Sequence, residues 1–216
     1  MSGTPPRWGD RAGRRRDILH AARTQIAERR YLALNMRDIA AGAGVSAGTL
    51  YSYFATKEEI FVTLYAEAVE AHTDSLVPLC DGAPDLETFI TGLFTSYLDL
   101  YASYGRHFSL WAAVVADPAA TPGDGPVLPA ELTAALRKAT LRQGRMVSAT
   151  LQRLTPGRDA PGEARRRQAL VWATMSGVAE HLTSDRHLLS GVSADELIAY
   201  TARTLAAGLR DGPRDP

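Results

Sequence analysis

Apolar residues recur at three- and four-residue intervals along most of the chain and nowhere alternate over a useful length, so the pattern predicts helices only. Ile18, Leu19, Ala22 and Ile26 form the buried stripe of a helix over 14–29. Met36, Ile39, Ala40 and Ala43 give a two-turn apolar face behind Asn35, a good N-cap. Gly44 stands where that helix must stop, since glycine enters the left-handed region without a Cβ penalty. Val45 then acts as an apolar plug and Ser46 as a second N-cap, and Leu50 and Phe54 mark a short helix over 47–54. Thr56 and Glu59 make a capping box for a longer helix over 58–79, with Ile60, Leu64 and Ala68 in one row and Phe61, Tyr65 and Val69 in the next.

Further helices are predicted over 84–104, 106–116, 131–154, 163–183 and 193–209, the last capped by Ser193 with Glu196 three residues on. Four prolines and two glycines in 118–129 leave no room for a regular element there. The expected fold is all-α with about nine helices. A basic tail over 1–13, expected to be mobile, precedes a helix-turn-helix unit over 14–57 and a helical second domain over 58–216. The helix starting at 58 links the two.

Two short helices joined by a glycine-containing turn of three to four residues form the helix-turn-helix pattern. Ala40, Gly44 and Leu50 fit it as the small residue at the helix approach, the turn glycine and the aliphatic residue pointing back into the core. The run RDIAAGAGVSAGTLYSYFATKEEIF resembles the DNA-binding segment of tetracycline-repressor-like (TetR family) transcriptional regulators. The likeness covers about 17–61 and is absent as a motif beyond it. Arg30 replaces the family's usual glycine at the end of the first helix, and Asn35 its commoner Thr or Ser cap; neither change removes a DNA-facing position.

The composition, 45% apolar and 22% charged, is that of a soluble globular protein, and its net charge of zero looks wrong for a nucleic-acid binder until it is divided. Residues 1–57 carry ten Lys or Arg against four Asp or Glu, and the remainder is acidic by the same margin. A basic end on an acidic chain suits a protein that presents one end to phosphates. Arg7, Arg11, Arg14, Arg15 and Arg16 are placed either to reach a DNA groove or backbone or to remain a solvated tail. No 18-residue apolar run or secretory signal is present, and the single cysteine, Cys80, has no internal partner, so a cytoplasmic location is expected. No nucleophile elbow, phosphate loop, dinucleotide fingerprint or metal spacing occurs, so neither an enzyme nor a cofactor or metal is expected.

The predicted DNA-binding residues are Asn35, Arg37, Ser46, Ala47, Gly48, Thr49, Tyr51, Ser52, Tyr53 and Lys57. Ala47 and Gly48 are small enough for the helix N-terminus to approach a base edge, and Thr49 can bond one or meet a thymine methyl. Tyr51 and Tyr53 suit phosphate oxygens, although either can instead be core, and Lys57 adds its charge to a helix N-terminus. The resemblance likewise implies DNA contact by Thr49, Tyr51, Tyr53 and Lys57.

For the second domain, Phe94, Tyr97, Tyr101, His107, Trp111, Met146, Trp172 and Met175 are candidates to line a site for a small, mainly apolar effector; the same residues at helical spacing also describe plain core. Ala169, Ala173, Ser176, Gly177 and Glu180, with Leu197, Thr201, Leu205 and Gly208, put small residues on faces of the last two long helices. They are the predicted homodimer face, which the resemblance also implies, with intrachain packing as the alternative. Two copies would set two recognition helices about 34–36 Å apart on a palindromic operator. The expectation is a ligand-responsive DNA-binding regulator, in the family's commoner mode a repressor. The alternative is a helical interaction protein that keeps the fold without specific operator or ligand binding.

Overall fold

The computed structural model describes residues 10–29, 34–105, 128–157, 162–184 and 187–211, and the described residues are helices and their connections, with no strand. Helix α1 (Arg11–Arg29) starts three residues before the apolar pattern predicts. Asp10 is the reason: its Oδ1 accepts from Gly13 N at 2.7 Å and so caps the first turn. Residues 11–13, expected in the tail, therefore belong to α1; residues 1–9 lie outside the described residues.

Helix α2 (Met36–Gly42) begins on Asn35, whose Oδ1 accepts from Arg37 N at 2.8 Å. It ends in a paired C-terminal motif in which Val45 N donates to Ala40 O at 3.0 Å and Gly44 N to Ala41 O at 3.1 Å, with Gly44 at φ +65°. A Cβ on Gly44 would meet nothing within 4 Å, so only the backbone conformation resists a side chain there. Gly44→Ala is expected to lower stability by about 1–2 kcal/mol, and Gly44→Asn by less, because Asn tolerates the left-handed region. Urea denaturation of both variants checks this; equal stability of Gly44→Ala and wild type would contradict it.

Helix α3 (Ala47–Tyr51) is shorter than the predicted 47–54. Tyr53 N and Phe54 N both turn back to Leu50 O, at 2.9 and 3.1 Å, so Phe54 still reaches the core from a turn. Thr56 caps α4 (Lys57–Ser75), accepting from Glu59 N at 3.2 Å, and the Glu59 carboxylate reaches back to Ala55 N at 2.9 Å.

The helix expected over 58–79 is broken. It stops at Ser75 and resumes as α5 (Val77–Gly82), because Pro78 cannot donate to a preceding carbonyl and fits only a first turn. Arg153 Nη2 donates to Cys80 O at 2.6 Å and so satisfies a carbonyl at the end of α5. Asp85 caps α6 (Leu86–Leu100), which continues as a π turn over Tyr101–Gly105. The remaining elements are α7 (Ala130–Leu154), α8 (Glu163–Thr183), the short α9 (His187–Ser190), which the sequence pattern did not indicate, and α10 (Ala194–Asp211). The predicted helix over 106–116 and most of the predicted loop over 118–129 fall outside the described residues.

Ile18, Ala22, Ile39, Leu50, Phe54, Ile60 and Phe61 are buried where α1, α2, α3 and the start of α4 meet. Each of the large apolar side chains among them contributes roughly 1.5–3 kcal/mol, so a unit this small depends on most of them. Beyond its first turns α4 leaves that core and packs along α7 and against α6, while α6 lies against α8 and α10. Ion pairs tie α4 to both sides: Arg23 of α1 to Glu67 at 3.0 Å, and Arg142 of α7 to Glu70 at 2.7 Å and Asp74 at 2.6 Å. No helix among the described residues is long and apolar enough to cross a membrane.

Candidate functional site

The N-terminal end presents α3 to solvent. Ser46 Oγ accepts from Thr49 N at 3.1 Å and lies 2.9 Å from Thr49 Oγ1, which fixes the first turn and holds the Thr49 hydroxyl beside it. Ala47 and Gly48 are exposed, and Tyr51 is 56% exposed, so its ring is not core. Ser52 is exposed and donates to Thr49 O at 2.6 Å. Tyr53 is half-buried against the core, and the Arg11 guanidinium lies 5.5 Å from its ring centre. Arg15 sits over Phe54 at 5.1 Å in the same way.

Two N-terminal arginines left open by the sequence are thus held on the aromatic residues that follow α3. Asp10, Arg11, Arg14, Ser52 and Tyr53 line a hollow of about 340 Å³, so positive charge from α1 and hydroxyls from the end of α3 share one surface. The sequence pattern marks Ser52 and Tyr53 as DNA-facing but does not join them to α1. Arg37 is exposed on the first turn of α2 and Lys57 opens α4 half-buried. Asn35 is exposed too, but its side-chain oxygen is already used as a cap.

The second domain holds another cavity of about 340 Å³, lined by Tyr65 of α4, Tyr97 of α6, Thr140 and Gln143 of α7, and Trp172, Ala173 and Ser176 of α8. Tyr97 organises its aromatic wall: Trp172 meets it edge-on at 5.8 Å and Tyr101 backs it at 5.7 Å. Burial raises the Tyr65 hydroxyl pKa well above its usual value, with Tyr97 adding to the rise, and burial likewise raises that of Tyr97, so both remain neutral donors and acceptors.

Behind the wall His72 of α4 is buried. Gln143 Nε2 lies 2.6 Å from His72 Nδ1, and His72 Nε2 lies 3.1 Å from Ser96 Oγ. An amide nitrogen only donates, so Nδ1 accepts and the imidazole carries its proton on Nε2, pointing at Ser96. Burial holds the His72 pKa below its ordinary 6.5, against a smaller opposing effect of the hydrogen bond at Ser96. The unfolded chain therefore binds this proton more readily than the folded one. The stabilisation is fully present above about pH 6.5 and is lost as pH falls below it. Melting temperature is expected to drop between pH 7 and pH 5 more steeply in the wild type than in His72→Gln; parallel curves would show that His72 does not titrate as its burial requires.

Of the predicted effector residues, Tyr97 and Trp172 line the cavity and Tyr101 supports it, donating to Glu180 Oε2 at 3.1 Å. Phe94 and Met175 are core, and Met146 is half-buried outside the lining; His107 and Trp111 lie outside the described residues. Tyr65, Thr140 and Gln143 were missed. Gln143 had a signal, since it interrupts the buried apolar row Leu136, Ala139, Val147 and Leu151 of α7.

The residues of the predicted dimer face differ in their surroundings within the single chain. Ser176 lines the cavity with Tyr97, and Glu180 accepts from the Tyr101 hydroxyl at 3.1 Å. Ala173 is exposed at the cavity rim. Ala169 and Gly177 of α8 and Gly208 of α10 are exposed, and Leu197, Thr201 and Leu205 are half-buried. Large apolar groups stand beside them, Leu170 48% and Tyr200 63% exposed.

Residues 18–64 match the family model described as bacterial regulatory proteins, tetR family. The chain is 34% identical over 108 residues to the HTH-type transcriptional repressor KstR2 of Rhodococcus jostii, a stretch that is 47% of this chain and 52% of that repressor. The match thus spans about half the length of that curated relative. In fold, the chain is similar to the regulator FadR of Bacillus subtilis, solved in complex with stearoyl-CoA, with a TM-score of 0.58 at 18% identity over 93% of this chain and 100% of that one. It is also similar to a TetR-family regulator from Bordetella parapertussis, with a TM-score of 0.61 at 21% identity over 93% of this chain and 98% of that one.

Proposed function

We propose that this chain, which belongs to the tetR family of bacterial regulatory proteins, is a ligand-responsive transcriptional repressor. The observation that carries this reading is the joining of two sites by one helix. Lys57 of α4 opens beside the recognition helix α3, and Tyr65, two turns on, lines the cavity. The repressor relatives and the ligand-bound fold neighbour support the same reading.

In this reading α3 enters the major groove with Ala47, Gly48 and Thr49 at base edges, while Tyr51, Ser52 and Lys57 meet phosphates. Arg11 and Arg14, held beside Ser52 and Tyr53, extend the phosphate-facing surface. Two copies pair through the exposed small residues of α8 and α10 and read a palindromic operator. A small, mainly apolar effector that fits the cavity better in the DNA-free conformation shifts the population away from the bound one, since only differential affinity can do so. The tilt of α4 transmits that shift.

The test is binding of the purified protein to duplex DNA from upstream of its own gene, at two salt concentrations, against random duplex. Selective and salt-steep binding is the expected result. Lys57→Ala should weaken binding to every sequence and lower the salt slope by about one. Binding no tighter than to random DNA, with no salt dependence, would favour a helical interaction protein instead.

A further inference from the structure

The start of α8 gathers positive charge where a helix is already positive. Glu163 opens the helix, and Arg165, Arg166 and Arg167 follow within its first two turns. Cations are disfavoured at a helix N-terminus, whose unbonded N–H groups and macrodipole attract anions instead. Gly162 precedes α8 in the left-handed region, at φ +79°, and brings no side chain to accept from those N–H groups. The acidic side chain of the turn is already engaged: Arg166 donates to Glu163 Oε2 from Nε at 3.2 Å and from Nη2 at 3.1 Å.

Arg167 differs from its two neighbours. Arg165 and Arg166 are exposed, whereas Arg167 is only 3% exposed and heads the buried row that continues with Val171 and Met175. Its Nε and Nη1 are buried and have no hydrogen-bond partner, and among the described residues no ion pair includes it. Gln168, the next residue, donates from Nε2 to Gly144 O at 2.9 Å and pins this turn of α8 to α7. Helical Cα–Cβ bonds tilt toward the N-terminus, so a long side chain lies back over the preceding turn. Arg166 shows this directly, its Nη1 lying 3.5 Å from where a Cβ on Gly162 would stand. Arg167 runs the same way on the buried side, toward the N-terminal amides of α8.

A guanidinium keeps its charge inside a protein, and a buried charge is strongly disfavoured unless it is paired. A water molecule would satisfy a hydrogen but leave the charge unbalanced. An oxyanion does both, since its oxygens match the guanidinium fork and its charge suits a helix N-terminus.

We propose that Arg167 and the first turn of α8 form a binding site for a small oxyanion, a phosphate or carboxylate group. Neither lines the aromatic cavity, whose α8 wall begins at Trp172. The inference therefore stands whether or not that cavity takes an effector.

Thermal melting of the full chain tests it, in sodium phosphate, sodium acetate and sodium chloride at equal ionic strength, for the wild type, Arg167→Met and Arg167→Lys. Phosphate also stabilises proteins by its exclusion from their surface, and it meets the basic DNA-binding end, but both effects act equally on every variant. Only the site gives a saturable rise that depends on Arg167. The wild type is expected to melt about 5 °C higher in saturating phosphate or acetate than in chloride. The anion that gives the larger rise identifies the group as phosphate or carboxylate. Arg167→Met should lose the saturable rise and, relieved of a buried charge, melt no lower than the wild type in chloride. Arg167→Lys keeps the charge without the fork and should retain less than half of the rise.

Equal rises in the wild type and Arg167→Met, or no rise in the wild type with either anion, would overturn the proposal. So would a folded Arg167→Met that melts well below the wild type in chloride, since the guanidinium would then be paired within the chain. Should Arg167→Met not fold, Arg167→Lys decides, and retention of the whole rise would count against the site.

Discussion

Phe61→Ala is expected to remove about 3–5 kcal/mol of stability, the usual loss for emptying a large aromatic site. Phe61 is fully buried, 6.4 Å from the ring centre of Tyr65 in a stacked pair and 5.7 Å from that of Tyr104. A domain has only about 5–15 kcal/mol in total, so the variant should be largely unfolded at temperatures where the wild type is intact. Because α4 packs on both α1 and α7, the loss should appear in one transition rather than as separate melting of the DNA-binding end. Urea denaturation followed by circular dichroism measures both features. A loss under about 1 kcal/mol, or a DNA-binding end that melts alone, would show that the core does not run through α4 as the burial of Phe61 requires.

Gly48→Glu should act in the opposite way, sparing the fold and abolishing DNA binding. A Cβ at Gly48 would meet only Ser46 Oγ, at 3.9 Å, so the protein has room for a side chain. Glutamate is a better helix former than glycine by roughly 0.5–1 kcal/mol, and a negative charge near a helix N-terminus is favourable. The melting temperature should hold or rise. On the proposed docking the same carboxylate meets phosphates and base edges. Like-charge juxtaposition costs several kcal/mol, so duplex affinity should fall by about a hundredfold or more. Gly48→Lys fills the same space with the opposite charge and should retain nonspecific binding. Unchanged affinity in Gly48→Glu would mean that α3 does not face DNA.

What the sequence made legible was local. Asn35, Ser46, Thr56 and Ser193 each cap the helix expected of them, and Gly44 takes the left-handed turn, because a cap or a turn is settled within a few residues. The start of α1 escaped because its first turns are arginines that carry no apolar period, although Asp10 was available as a cap. Pro78 was likewise readable as a break and was passed over inside an apolar row.

The cavity depended on what the sequence does not state, namely which face of each helix meets which neighbour. Phe94 and Tyr97 stand three residues apart on α6, yet one is core and the other a wall. Ser176 and Glu180 stand near Gly177 along the helix, yet Ser176 lines the cavity and Glu180 accepts from Tyr101 while Gly177 is exposed. The family model matches 18–64, the segment whose caps and turn are set locally, whereas nothing local marks a cavity wall.

The shared α4 also constrains how such a chain can be recombined. Exchanging its DNA-reading end with that of a relative at residue 57 would seat a foreign head on the native Ile60, Phe61 and Leu64, all fully or almost fully buried, and leave the new interface badly matched. A crossover between Leu64 and Tyr65 keeps the buried opening of α4 with its own head and leaves the cavity wall with its own body. The one described ion pair it severs, Arg23 to Glu67, is half-exposed and worth under about 1 kcal/mol. In this architecture the workable unit of exchange ends inside a helix, not at the loop where a modular view would cut.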